Sequence, residues 1–156
     1  MPGLATTVDA PARRLASTLL RQLASGRVTN DSFEDQWPAS ADPALRVLRD
    51  AAWFLYSDLR EYHLAGPDRL SPSVKRHVAR WILFLHTDLP YEWAEMSRTE
   101  SLARLFAGLI TMGVATRLWK TAIERSDDAD VWPFIRRTDF RRALRLPRLL
   151  RRPPAT

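Results

Sequence analysis

Residues 71–85, with the sequence SPSVKRHVARWILFL, decide the fold class. Ser71 followed by Pro72 is typical of a helix start, because serine caps free backbone N–H groups and proline is tolerated in the first turn. The apolar residues after it recur at intervals of three and four, as on one face of an α-helix. They are Val74, Val78, Trp81, Ile82 and Leu85. The stretch therefore predicts an amphipathic helix that packs against a core.

The preceding segment shows the same period over a longer distance. Asp42 before Pro43 predicts another helix start, and we expect this helix to continue to Gly66. Its apolar residues follow a 3-4-3-4-3 spacing, which is typical of the seam between two packed helices. They are Leu45, Leu48, Ala52, Leu55, Leu59 and Tyr62.

Four further helices complete the pattern. One is predicted from Pro11 to Gly26, and a short one begins at a capping box of Asp31 and Glu34. A second capping box, Ser97 with Glu100, begins a long helix to about Arg125. A short last helix is predicted to start at Pro133 and to end at Pro147. The sequence therefore predicts an all-α fold, a single compact bundle of five to six helices. The bundle covers residues 11–131, between a flexible N-terminus (1–10) and a basic, Arg/Pro-rich C-terminal arm with a short helix (132–156).

Composition excludes several classes of protein. The 156 residues are 46% hydrophobic and include six Trp, enough for the core of one domain. With no Cys there is no disulfide framework, thiolate metal site or cysteine nucleophile. The longest apolar run, Leu105 to Ala115, is about half of a membrane span, and the N-terminus lacks the apolar segment of a signal peptide. We therefore expect a soluble, cytoplasmic protein that does not contact a membrane.

Positive charge is concentrated at the C-terminal end. From Trp132 onward there are eight Arg and one acid, Asp139, which gives a formal charge of +7 against −1 for the first 131 residues. This asymmetry indicates an acidic partner, either a protein or a nucleic acid bound through residues 132–152. The arginines expected to contact it are Arg136, Arg137, Arg141, Arg142, Arg145 and Arg148. The alternative is that the arm docks on the chain's own acidic residues, Asp88, Glu92, Glu95 and Glu100.

An aromatic loop follows the helix of residues 71–85. Pro90 stops the helix, after which Tyr91 and Trp93 point one way and Glu92 the other if the segment is extended. Such aromatics either cover a core or anchor an interface. We therefore include Tyr91, Glu92 and Trp93 among the candidate partner-binding residues.

This loop also carries a family resemblance. The chain resembles a group of small uncharacterised bacterial proteins that share the segments G-x-[IV]-[TS]-N-D-x-F-E, here at residues 26–34, and F-L-x-[ST]-D-x-x-Y-E-W, here at residues 84–93. A third shared segment is the Leu-Tyr-x-Asp-Leu-Arg-Glu stretch at residues 55–61. The resemblance covers roughly residues 15 to 96, and it implies no established function.

One motif suggests catalysis. Arg80 and His86, separated by five residues, resemble the Arg-x(4–6)-His signature of the HEPN ribonuclease superfamily, small all-α domains whose dimers cut RNA. The resemblance implies that these two side chains act at a scissile phosphate by acid–base and charge chemistry. On a helix, however, six steps place them about 120° apart. The helix C-terminus offers His86 a capping role instead.

No other catalytic signature is present. The glycines form no phosphate-binding loop, and His63, His77 and His86 do not have the spacing of a metal site with the nearby acids. We therefore expect no cofactor and no metal. The sequence favours a non-enzymatic protein-interaction module of the adaptor or immunity type, which binds through the aromatic loop, the arginine-rich arm or both. The alternatives are a non-specific nucleic-acid binder and a HEPN-like ribonuclease. Neither the partner nor the oligomeric state follows from the sequence.

Overall fold

A computed structural model describes residues 7–92 and 131–145 of the chain. These residues contain five α-helices, one short 3₁₀ helix and no β-strand, which confirms the predicted all-α class. The helices are α1 (Ala10–Ala24), α2 (Asn30–Gln36), α3 (Pro43–Trp53), the 3₁₀ helix (Gly66–Asp68), α4 (Pro72–Leu85) and α5 (Arg137–Leu144). The predicted long helix from Ser97 to Arg125 lies outside the described residues, as do Trp93 and Arg148.

Two of the predicted helix starts are confirmed by their caps. The side chain of Asp42 accepts a hydrogen bond from the N–H of Ala44 at 3.0 Å, and Ser71 Oγ accepts one from Val74 at 3.4 Å. In both helices proline follows the cap directly. These bonds satisfy N–H groups that have no partner inside the helix, so the signal is local and readable from sequence.

The starts of α2 and α5 differ from the prediction. Thr29 caps α2 by accepting from Ser32 N at 3.1 Å, while Asp31 already lies in the first helical turn, so the predicted Asp31–Glu34 capping box is wrong. Helix α5 begins at Arg137 and not near Pro133, because residues 131–134 form a turn in which Phe134 N donates to Val131 O. That turn places Phe134 in the interior.

The predicted extent of α3 is also wrong. The helix ends at Trp53, and the chain then forms a loop in which Leu55 is buried while Leu59 is 79% exposed. The 3-4-3-4-3 spacing therefore describes the packed face only as far as Ala52. Backbone groups of residues 57–62, which a longer helix would have used for its own hydrogen bonds, bond instead to a residue from another helix.

Asn30, at the start of α2, makes that contact. Its side-chain nitrogen donates to the carbonyls of Ser57 and Arg60 at 3.2 and 3.0 Å, and its side-chain oxygen accepts from the N–H of Tyr62 at 2.8 Å. Backbone bonding adds to this, since Asn30 N donates to Tyr62 O at 3.2 Å. Tyr62 in turn accepts a hydrogen bond through its hydroxyl from Ser57 N. The buried amide thus fixes residues 57–62 as a loop on the start of α2.

The main core lies between α1 and α4, with α2 and α3 packed beside them. Leu19, Leu20 and Leu23 of α1 face Val74, Val78 and Trp81 of α4 within one buried cluster. The face of α4 predicted from its spacing is therefore confirmed, with Ile82 only half-buried at its margin.

A second, smaller core joins the two described segments, residues 7–92 and 131–145. Ala44 from α3, Phe84 from α4 and Tyr91 pack there with residues that follow position 130. Those later residues are Val131, Phe134 and Ala143, all of them buried. The first part of the predicted C-terminal arm is therefore packed on the helical core.

Candidate functional site

Helix α5 is held on the core by aromatic contacts. The ring of Phe134 meets that of Phe84 edge to face, with centroids 5.2 Å apart, and that of Phe140 at 5.4 Å. Ala143 lies one turn after Phe140 and is buried against the same cluster. Because Phe140 and Ala143 share one side of the helix, α5 is amphipathic and its inner face is apolar.

Trp132 and Tyr91 pack beside the contact between α5 and the core. Trp132 Nε1 donates to the Tyr91 hydroxyl at 3.2 Å, and the Trp132 ring meets the Trp81 ring edge to face at 5.7 Å. Tyr91 itself is only 8% exposed and packs against Phe84. Of the loop residues singled out as partner-binding candidates, Tyr91 therefore belongs to the core, while Glu92 is exposed.

The outer face of α5 is cationic. Five of the exposed side chains on this helix and at its two flanks are arginines, and Ile135 and Leu144 among them are 45% and 56% exposed. We call this face the α5 surface, and it consists of Ile135, Arg136, Arg137, Arg141, Arg142, Leu144 and Arg145. With Asp139 as the one acid, residues 131–145 carry a formal charge of +4. Five of the six arginines proposed from the sequence thus lie together on one surface.

A buried ion pair supports Phe84, and with it α5. Arg13 Nε lies 2.6 Å from Asp42 Oδ2, and both side chains are almost fully buried, at 1% and 0% exposure. Arg13 Nη1 donates to the carbonyls of Thr87 and Leu89 at 2.9 and 2.8 Å. Its guanidinium also lies over the Phe84 ring, 5.2 Å from the centroid. Phe84 is therefore held between Arg13 and Phe134.

Sequence reasoning found only half of this pair. Asp42 was identified as a helix cap, and it is one, but its second role as the partner of Arg13 was missed. Arg13 is one of 24 basic residues, and only its place on the buried face of α1 distinguishes it from the exposed ones. It lies three residues before Ala16 and seven before Leu20, which places it on the same buried face.

Arg80 and His86 do not form a common site. The Arg80 guanidinium lies over the ring of Phe140 in α5, 5.3 Å from its centroid. His86 caps the end of α4 and borders a groove that also includes Arg21 of α1. Arg80 therefore contacts α5, while His86 borders the groove between α4 and α1.

The groove beside His86 has an apolar floor. Its volume is about 280 Å³, and it runs between α1 and α4. The residues that line it are Arg21, Lys75, Val78, Ala79, Ile82, Leu83 and His86. Within the described part of the chain no hydrogen-bond partner faces the buried Nε2 atom of His86. Burial, together with the positive charges of Arg21 and Arg14, lowers the pKa of His86.

A third polar cluster lies between α2 and α3. Glu34 pairs with Arg49, whose Nη2 is 2.7 Å from Oε2, and accepts a hydrogen bond from the Tyr56 hydroxyl. Burial and this bond to Glu34 raise the pKa of Tyr56, which keeps the phenol protonated. Glu34 of α2 thus binds both Arg49 of α3 and Tyr56 of the following loop, so the cluster ties α2 to α3.

Residues 7–92 and 131–145 offer neither a metal site nor a membrane span. No three His, Asp or Glu side chains in these ranges are placed to share a metal ion. In the same ranges no helix is both long and apolar enough to cross a bilayer.

Comparison with protein-family models, with curated proteins and with solved structures found no match. The resemblance of residues 26–34 and 84–93 to a group of small bacterial proteins stays a prediction.

Proposed function

We propose that this protein is a non-enzymatic protein-interaction module and that it binds an acidic partner protein through the α5 surface. One observation carries the proposal: α5 uses an apolar inner face to dock on the core and turns five exposed arginines outward. A helix held in place by packing loses little conformational freedom when a partner binds. Its arginines offer planar, bidentate donors to carboxylates.

The chemistry of the α5 surface favours a protein over a nucleic acid. Proteins that bind single strands stack bases on exposed aromatic rings, but here Phe134 is buried and Trp132 and Phe140 pack inward. In addition, Leu144 is exposed among the arginines. An apolar side chain contributes nothing to a phosphate backbone, whereas it suits the mixed apolar and charged surface of a protein partner.

Two labelled probes test the proposal. The first is a helical peptide with Glu on one face and Leu on the other, and the second is a single-stranded oligonucleotide of mixed sequence. We expect fluorescence anisotropy to show binding of the peptide and a loss of at least tenfold in affinity in the R141E/R142E variant, because two attractive charges become repulsive. Leu144→Ser should weaken peptide binding while it leaves any attraction to the oligonucleotide unchanged.

The matched control reverses two exposed arginines outside the α5 surface. R27E/R69E changes the net charge by the same amount after α1 and before α4, at the ends of these helices that lie farthest from Arg13 and Phe84. We expect this variant to bind the peptide within about threefold of the wild type, because exposed charges more than a Debye length apart are screened. Equal losses in both variants would show an effect of net charge alone and would refute a defined surface.

Nucleic-acid binding is the principal alternative outcome. The protein could bind the oligonucleotide tightly, with an affinity that falls steeply with salt, does not depend on base sequence and is lost in R141E/R142E. That result would show that the α5 surface binds nucleic-acid phosphates and not a protein. Metal-independent RNA cleavage that is abolished by both Arg80→Ala and His86→Ala would show instead that the protein is a ribonuclease. No binding of either probe at low salt would refute the proposal altogether.

A further inference from the structure

The groove between α1 and α4 is a second binding surface, separate from the α5 surface. Along α4 it follows one face of the helix over three turns, from Lys75 to His86. At 1.5 Å per residue this face is about 16 Å long. Ile82 and Leu83 are only half-buried there, and Ala79 in the middle is exposed. The described part of the chain therefore leaves an aliphatic strip on α4 open to solvent.

This groove and α5 lie on opposite sides of α4. Arg80 and Phe84, one turn apart, face α5: Arg80 lies over the ring of Phe140, and Phe84 packs in the cluster that holds α5. Ile82 and His86, also one turn apart, border the groove. Each of them follows its counterpart by two residues, which turns the side chain by about 200° around the helix. A partner in the groove therefore leaves the α5 surface accessible.

Positive charge borders the aliphatic strip. Arg21 of α1 and Lys75 of α4 both line the groove, and Arg14 lies two turns before Arg21 on the same side of α1. All three are exposed, and neither α1 nor α4 contains an acidic residue. Among the described residues no carboxylate forms an ion pair with any of the three. Both helices thus offer cations to whatever occupies the groove.

His86 adds a polar group at one end of the groove. Its Nε2 is buried and has no hydrogen-bond partner in residues 7–92 and 131–145. Burial, followed by the charges of Arg21 and Arg14, lowers the pKa of His86, so both arginines lie within electrostatic range of the imidazole. Two cations and an imidazole are therefore concentrated at the end of the groove where α4 ends, and a carboxylate suits all three.

We propose that this groove binds an acidic amphipathic helix of a partner protein. Apolar side chains of the partner, spaced i, i+3, i+4 and i+7, pack on Ala79, Ile82 and Leu83, as in other helix-in-groove contacts. Carboxylates on the two flanks of that helix pair with Arg21 and Lys75. The length of the strip matches three helical turns. This inference goes beyond the proposed function, because it assigns a different surface of the molecule.

The chemistry of the groove selects this occupant. A nucleic acid would find the cations, but the aliphatic floor offers no ring on which a base could stack. A basic helix would be repelled by Arg14, Arg21 and Lys75, since no described carboxylate neutralises them. The small side chain of Ala79 lets the partner's backbone approach α4 closely. Only an occupant that is both apolar and acidic satisfies the floor and the border together.

Disulfide trapping tests the groove by itself, because the chain has no cysteine. Ala79→Cys places a single thiol in the middle of the strip. The probe is a three-turn helical peptide with a stripe of Leu that includes one cysteine and with Glu on both flanks, in a thiol–disulfide redox buffer. A mixed disulfide is stable only where the two thiols meet in suitable geometry. We expect mass spectrometry to show at least tenfold more trapped peptide for Ala79→Cys than for Ala39→Cys, which changes an exposed alanine between α2 and α3.

Charge variants in the Ala79→Cys background test the border of the groove. R21E/K75E reverses a cation on each helix and should reduce trapping at least tenfold. R141E/R142E makes the same change in net charge on the other side of α4 and should keep trapping within about twofold, because exposed charges that far apart are screened. A peptide with Lys in place of Glu should be trapped at least tenfold less. Equal trapping of the two peptides would refute an acidic partner.

Other occupants of the groove give different results. If Ala79→Cys reacts with iodoacetamide at least tenfold more slowly than Ala39→Cys, another part of the chain, such as residues 93–130, covers the groove, and the inference is refuted. If Ala79→Cys without peptide forms disulfide-linked dimers and Ala39→Cys does not, the occupant is a second copy, which also refutes it. Thermal unfolding of each variant checks that it is folded.

The groove and the α5 surface can fail separately. We expect the groove to bind such peptides more weakly than the α5 surface does, because three cations border it and five arginines face outward on α5. No trapping at Ala79→Cys, with peptide binding that is lost in R141E/R142E, refutes the groove and leaves the proposed function in place. Trapping at Ala79→Cys, with anisotropy that R141E/R142E does not change, supports the groove and refutes the α5 surface as the binding site.

Discussion

The charged centre at Arg13 and the neutral centre at Asn30 perform the same task with different chemistry. Both are buried polar groups that hold loops on the helical core. Arg13 joins the starts of α1 and α3 to the segment after α4 through an ion pair and two carbonyls. Asn30 joins the start of α2 to the loop after α3 through an amide that donates twice and accepts once.

The difference predicts how each centre fails. When one partner of a buried ion pair is removed, the other charge stays behind in a medium that does not solvate it. When a buried amide is removed, the groups it leaves are neutral, and those of an exposed loop regain water. Mutation should therefore cost more at the charged centre, and its effect should depend on whether both partners are changed.

Removal of Asp42 should have the largest effect. Asp42→Ala leaves the Arg13 guanidinium without its carboxylate and also removes the cap of α3. We expect the free energy of unfolding to fall by about 3–5 kcal/mol. Chemical denaturation followed by tryptophan fluorescence measures this, and a loss below about 1 kcal/mol would contradict a buried, uncompensated charge.

The double variant sharpens that result. In R13M/D42A no charge remains at the centre, so we expect it to be more stable than the sum of the single losses predicts. The coupling energy should be about 1–3 kcal/mol, the range found for residues in one network. Strict additivity would show that Arg13 and Asp42 act separately.

Removal of the amide should come second. Asn30→Ala leaves the carbonyls of Ser57 and Arg60 and the N–H of Tyr62 without their partner. We expect a loss of about 2 kcal/mol, because a buried group left unsatisfied costs about 1–3 kcal/mol and this loop is partly open to water. Hydrogen exchange should show faster exchange at Tyr62 N.

Asn30→Asp provides the matched control at this centre. The carboxylate still accepts from Tyr62 N, but it faces the two carbonyls with no donor. We therefore expect Asn30→Asp to be at least as destabilising as Asn30→Ala at neutral pH. If it were as stable as the wild type, the two carbonyl contacts would contribute nothing.

The two centres also show what sequence reasoning reaches and what it does not. The caps at Asp42 and Ser71 were predicted because each bonds to its own helix within three residues. The end of α3 was not predicted, because the group that takes over its backbone, Asn30, lies some thirty residues earlier in the chain. Spacing alone continues a helix until a local stop signal appears, and it does not register a partner that arrives from another element.

The same contrast holds for the candidate site. The arginines of the α5 surface were predicted as a group, since charge is counted from the sequence. The packing of Phe134 and Ala143 against Phe84, which turns those arginines outward, was not predicted. It depends on three segments that meet only in the folded protein, namely the start of α3, the end of α4 and the chain after residue 130. The burial of Tyr91 against Phe84, which makes it a core residue and not an interface residue, depends on the same long-range contacts.

A single hydroxyl at the neutral centre should have a smaller effect. Tyr62→Phe removes the acceptor of the Ser57 N–H, which it bonds at 2.8 Å. The phenyl ring keeps the contact with the Arg60 guanidinium, which lies 4.6 Å from the ring centroid. We expect a loss of about 0.5–1 kcal/mol in chemical denaturation. A loss as large as that of Asn30→Ala would show that the Tyr62 hydroxyl, and not the Asn30 amide, holds the loop in place.

The smallest expected effect is a dependence of the free energy of unfolding on pH. It arises beside the charged centre, where His86 directly precedes Thr87, whose carbonyl Arg13 binds. The pKa of His86 lies below the usual value of 6.5, because burial and then Arg21 and Arg14 disfavour the protonated form. The unfolded chain therefore takes up the proton first, so the free energy of unfolding should fall as the pH drops below about 6.5 and level off below the folded pKa. Partial exposure screens the group and keeps the loss small. We expect His86→Gln to remove this component of the pH dependence. His63→Gln, which changes the histidine near the neutral centre at Asn30, should retain it. The opposite pattern would show that His63 and not His86 is the histidine responsible.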